Sequence, residues 1–164
     1  MSLYPIYSPA EKKVLVATTT ECSANPGGNV GWNTATVFDR DWQIDNGKIV
    51  TALAWSSTVA SSDAYMFICE RVNSTTYRTK AHVALNHSGG GKEWATLATP
   101  YVVPASGIFR VGNYTGARSV TTTKGAPNEA RFLGRCSLTI DADNAVVEAS
   151  NSAHSSCVQY AEYQ

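Results

Sequence analysis

The sequence predicts one antiparallel all-β domain, a sandwich or barrel of about nine or ten short strands, on three observations. No segment keeps a helical period over three turns. Short apolar or alternating runs recur along the 164 residues, separated by clusters of Gly, Pro, Asn and Asp. Ser and Thr fill the polar positions, in runs such as Thr18-Thr19-Thr20 and Thr121-Thr122-Thr123, which suits strands and polar turns. The length gives one substantial core and is short for two. Residues 1–164 therefore read as a single domain, with an irregular lead over 1–13 that holds Pro5 and Pro9.

The strands follow in order. Val14 to Thr20 is the first, and the Gly-rich loop after it, ending in Gly31-Trp32-Asn33, is no core strand. Thr34 to Ile44 puts Phe38, Trp42 and Ile44 on one face. Asp45-Asn46-Gly47 then signals a hairpin into Lys48 to Ser57. Ala64 to Val72 is continuously apolar at its centre, which predicts burial on both faces. Asn73 to Thr76 turns it back into Tyr77 to Asn86, with Ala81, Val83 and Leu85 inward and Arg78, Lys80 and His82 outward.

Gly89 to Gly116 organises the chain: a glycine turn, a strand through Trp94 and Leu97, a corner between Pro100 and Pro104, and a strand through Phe109 and Val111. Proline has no N–H for the ladder, so both prolines mark strand ends. Trp42, Trp55 and Trp94 are expected in the core. Arg118 to Asn128 reads as a long polar loop. Phe132 to Asp141 and Ala145 to Ser150 form a hairpin about Asp141-Ala142-Asp143-Asn144, and Ser156 to Tyr163 closes the chain.

Charge excludes several functions. Lys plus Arg equal Asp plus Glu at 13 each, with no basic cluster, so the footprint of nucleic-acid binding is missing. No apolar run approaches the ~20 residues that span a bilayer. The opening residues hold no apolar signal-peptide core. Cys22, Cys69, Cys136 and Cys157 form no close pair of the kind zinc uses. Cys69 reads as a buried apolar residue, and a disulfide among the other three stays open.

The corner Pro104-Ala105-Ser106-Gly107-Ile108-Phe109-Arg110-Val111-Gly112, after a glycine turn and a Trp strand, resembles the jelly-roll β-sandwich modules of non-catalytic carbohydrate-binding domains and of phage tail and receptor-binding proteins. The resemblance covers about Thr34 to Gly116. It implies a jelly-roll-like sandwich, binding of sugar or a cell surface, and in viral examples a trimeric appendage. It carries over no ligand residue, because such modules bind with different faces and loops.

Candidate contacts come from the residues themselves. Trp32, on a glycine-rich loop, could stack on a sugar ring or plug the sandwich end. Arg78, Lys80 and His82 would share an outward face, extended by Arg110 and Tyr114 if their strands are neighbours. That face could bind glycan or simply meet solvent. Asp39, Asp41 and Asp45, and Asp141 to Asn144, are the runs on which a structural calcium could sit, although neither matches an EF-hand loop. No other cofactor or metal site is expected.

The run His87 to Lys92 fails the phosphate-loop pattern because Glu93 follows the lysine, and no nucleophile elbow accompanies it. Asn73, Asn86 and Asn113 head glycosylation sequons. The expectation is a non-catalytic module for a glycan or cell-surface receptor, virion-borne or extracellular, with a homotrimer as the first oligomer to test. A self-assembling capsid or tail protein is the alternative, and a hydrolase on this scaffold a third.

Overall fold

The computed structural model describes residues 13–16, 28–30, 34–37, 44–57, 60–62, 64–74, 76–115, 120–122, 131–135, 143–153 and 159–163. Within them the chain is all β, without a helix. The strands are β1 (Lys13–Val16), β2 (Gly28–Val30), β3 (Thr34–Val37), β4 (Ile49–Ser57), β5 (Ala64–Arg71), β6 (Thr76–Ala84), β7 (Gly91–Val102), β8 (Phe109–Thr115), β9 (Val120–Thr122), β10 (Arg131–Arg135), β11 (Val146–Ala153) and β12 (Gln159–Tyr163). One sheet has four strands in the order β1-β12-β4-β7, and six more, β10-β11-β6-β5-β8-β3, close on themselves as a barrel. All pairings are antiparallel.

The described residues thus hold twelve strands against the nine or ten that the sequence predicts. Two stretches that read as loops each supply a three-residue strand, β2 and β9, and these pair with one another from Gly28↔Thr122 to Val30↔Val120. Each loop satisfies the other's backbone groups, a tertiary effect that local composition does not carry. The expected strand positions 38–43 and the calcium runs at Asp39, Asp41, Asp141 and Ala142 lie outside the described residues, as do Trp32, Trp42, Cys22, Cys136 and Cys157.

The core lies between the two sheets. Leu53 and Trp55 from β4, Leu97 from β7 and Ala161 from β12 meet Ala64, Met66 and Ile68 from β5 and Phe109 and Val111 from β8. Burial on both faces of β5 is borne out, since Met66, Phe67, Ile68 and Cys69 are all fully buried. Even-numbered residues there face the four-stranded sheet, and Phe67 and Cys69 turn into the barrel. The turn after Arg71 also forms as expected, with the Thr76 amide donating to Asn73 Oδ1 at 2.9 Å.

The Asp45-Asn46-Gly47 turn corrects the hairpin expectation. The Lys48 amide bonds the Asp45 carbonyl at 3.4 Å, yet β3 pairs with β8 and β10 while β4 pairs with β7 and β12. The turn therefore carries the chain from barrel to sheet. Residues 103–109 run beside it and make the reverse crossing, through Gly47 N–H to Val103 carbonyl at 3.0 Å, Val103 N–H to Lys48 carbonyl at 2.8 Å, and Ile44 N–H to Phe109 carbonyl at 3.0 Å. β3–β4 and β7–β8 are two paired arms, each shared by both sheets.

Candidate functional site

The register of β4 against β7 sorts the side chains at the sheet edge. Ladder partners point to the same face. Ala54 opposes Trp94 and Ala52 opposes Thr96, while Trp55 opposes Glu93 and Leu53 opposes Ala95. Trp55, Leu53 and Leu97 are inward, so Lys92, Trp94 and Thr96 stand on the outer face. Ala54 is fully buried beside an indole that stays 38% exposed. This corrects the expectation that Trp94 belongs to the core. Trp94 and Leu97 are an odd number of positions apart, and a strand cannot bury both on one side.

An aromatic ring on the outer face of an edge strand, flanked by small alanines and hydroxyl- or amine-bearing neighbours, can stack on an apolar ring face while its surroundings donate hydrogen bonds. That is the chemistry a pyranose needs. It involves no bond breaking.

The residues expected to form one outward face do not. Phe67 pairs with His82 and Glu70 with Arg78, and a bulge falls between them, at Ile68/Cys69. The extra residue reverses the alternation, so His82 and Arg78 lie on opposite sides of the sheet. Lys80 holds Glu70 at 2.8 Å, and His82 Nδ1 lies 2.9 Å from Asp143 Oδ1. Arg78 is exposed, whereas Arg110 and Tyr114 retain only 6% and 2% of their surface. Both pair with barrel-facing residues of β5, Arg110 with Cys69 and Tyr114 with Tyr65. They are interior groups of the barrel, separated from β6 by β5.

A second cluster sits where β6 turns into β7. His87 is fully buried at its ring and meets Trp55 edge-on, with centroids 5.0 Å apart at 84°. Its backbone exchanges two hydrogen bonds with Ser61, at 2.8 and 2.9 Å. The Gly89 amide donates to His87 Nδ1 at 2.9 Å. Glu93 Oε1 accepts from the Ser88 amide at 2.9 Å and also from the Ser88 hydroxyl, and stands 3.5 Å from His87 Nδ1.

This is a Ser, His and carboxylate in proximity, yet not a nucleophile relay. The serine hydroxyl is spent on the carboxylate, and the imidazole nitrogen nearest to it is spent on a backbone amide. The cluster was legible only as a glycine run; its signal is the His and Glu that bracket the turn.

Burial pushes the Glu93 carboxyl up, but the hydrogen bonds from Ser88, the charge of His87 and the Gly90 amide outweigh it, and the net direction is down from 4.5. A lowered folded-state value means that the unfolded chain binds the proton more readily. Glu93 therefore adds stability above the unfolded value, and that contribution is lost as pH falls through the folded one. Urea melts of wild type and Glu93→Gln across acid pH should show a flatter decline in the variant below about pH 4.5; parallel curves would contradict the assignment. Tyr101, half-buried against Phe109, shifts upward through burial and the nearby charges of Glu70 and Asp143.

No group of three or more His, Cys, Asp or Glu that could hold a metal occurs among the described residues. Asp45, Asp143 and Asn144 of the two calcium runs are described. Of the sequon asparagines, Asn73 and Asn86 are exposed and Asn113 is buried, so the folded chain presents the first two. Comparison with protein families, curated proteins and solved structures finds no match for this chain.

Proposed function

We propose that this chain is a non-catalytic binding module, a jelly-roll-like β-sandwich that recognises glycan on a cell surface as part of a phage or virion appendage. The observation that carries the reading is Trp94, held on the outer face of an edge strand between Lys92 and Thr96 with alanines beside it. Stacking on a sugar ring needs such a platform, and the β4–β7 ladder fixes the backbone on which it stands.

A glycan array probed with the full chain tests this. Trp94→Ala is expected to weaken the strongest binding by about tenfold or more, equivalent to about 1.4 kcal/mol, with little change in the urea midpoint. An array without binders, or binding indifferent to Trp94→Ala, defeats the reading.

A second reading, a building block that packs on copies of itself, is favoured by the cross-strand pair Ile49↔Val102. Val102 is 62% and Ile49 37% exposed. Light scattering over a dilution series separates the two: a stable trimer supports a virion assembly, and a monomer at all concentrations leaves the free-standing module.

A further inference from the structure

The geometry points to a proton-operated clasp at His87 and Glu93 that switches the Ser88–Gly91 turn between two hydrogen-bond patterns. The inference does not depend on glycan binding. The His87 ring is held from two sides. Trp55 packs against its edge, and the paired bonds to Ser61 fix its backbone.

An imidazole nitrogen that accepts a hydrogen bond carries no proton, so a neutral His87 that receives the Gly89 amide at Nδ1 holds its hydrogen on Nε2. That Nε2 is buried with no hydrogen-bond partner among the described residues. In this state the Nδ1 lone pair also faces Glu93 Oε1 at 3.5 Å, two acceptors side by side. Proton uptake reverses both relations. Nδ1–H would confront the Gly89 N–H, donor against donor, while Glu93 Oε1 becomes its natural acceptor. Gly89 must then release the ring.

The turn is built to allow this. Gly89 and Gly91 have φ of 89° and 104°, a region open to glycine and costly for other residues. A Cβ at Gly91 would meet nothing within 4 Å, whereas one at Gly90 would lie 3.3 Å from Ser88 Oγ, so the room to move is at the Gly91 end of the turn. The strands need not move, since the histidine backbone is held by Ser61 and Glu93 by the β4 ladder.

Among the described residues the charged groups around the ring are few. β7 contributes Glu93, while Lys92 stands on the opposite face of the sheet. β4 presents Trp55, which does not ionise. The segment 60–62 is Ala-Ser-Ser, and the approach from β6 is Leu85-Asn86. Among the described residues Glu93 is thus the ionisable side chain that answers a proton on His87.

The test is NMR on the full chain, following imidazole nitrogens and backbone amides together from about pH 8 to about pH 5. The expected starting state is the Nε2–H tautomer, with a slowly exchanging Gly89 amide. On acidification the Ser88 and Gly89 amides should shift with the midpoint of the His87 ring, and Gly89 should lose its protection. His82→Gln should leave this transition in place, and His87→Gln should abolish it. If His87→Gln does not fold, the ring-resolved titration of His82→Gln still decides. An Nδ1–H tautomer at the start, a ring that stays neutral throughout, or a Gly89 amide unmoved while the ring titrates would each overturn the clasp.

Discussion

Truncating Trp55 to alanine is expected to remove about 3–5 kcal/mol of folding stability, read as a fall in the urea midpoint at unchanged slope. Trp55 is fully buried and is among the largest such side chains of the described residues. It belongs to the core cluster shared by β4, β5 and β8 and packs against the edge of the His87 ring. Total stabilities of single domains are about 5–15 kcal/mol, so the loss is a large share of the whole. Trp55→Phe provides the contrast. The indole Nε1–H is buried without a hydrogen-bond partner among the described residues, a state that costs about 1–3 kcal/mol. Phenylalanine gives up part of the ring but also removes that orphan donor, and should cost roughly half as much as alanine or less. Trp94→Ala, on the outer face, should cost less than either. If Trp94→Ala proves as damaging as Trp55→Ala, the division into inner and outer faces is wrong.

Gly107→Ala should cost about 2–5 kcal/mol, from two sources that a second glycine separates. At φ 111° any side chain strains the backbone, and a Cβ there would lie 2.8 Å from Phe109 Cε2. Phe109 is buried in the core against Tyr101 and has little room to yield. Gly47, in the opposite arm of the same corner, has φ 78° but no atom within 4 Å of its would-be Cβ. Gly47→Ala therefore bears the backbone strain alone, about 1–2 kcal/mol. Equal losses in the two variants, measured by thermal or urea melts, would show that the Phe109 contact contributes nothing.

Local chemistry made much of the fold readable. The apolar run in Ala64–Arg71, the Asn73 turn, and the inward set Ala81, Val83 and Leu85 follow from period and turn residues. Trp94 was also readable in principle, because its odd spacing from Leu97 places one of them outside. Other features depend on partners far along the chain. The even spacing of Arg78, Lys80 and His82 promises one face, and only the bulge at Ile68/Cys69 breaks it. Asp45-Asn46-Gly47 makes the same turn in a hairpin or a corner, and what decides is which strand waits beyond it. The burial of Arg110 likewise reflects barrel closure, since a strand facing solvent would carry the same residue outward.

The paired arms have a consequence for cooperativity. Each arm gives one half to the barrel and the other to the four-stranded sheet, so neither sheet is complete without the crossing at 44–48 and 103–109. Contacts such as Val37 with Gly112 and Lys13 with Tyr163 join distant parts of the chain, and their loop-closure entropy must be met before the ladders reward it. The two layers are therefore expected to unfold together, so that damage at the corner is felt in both.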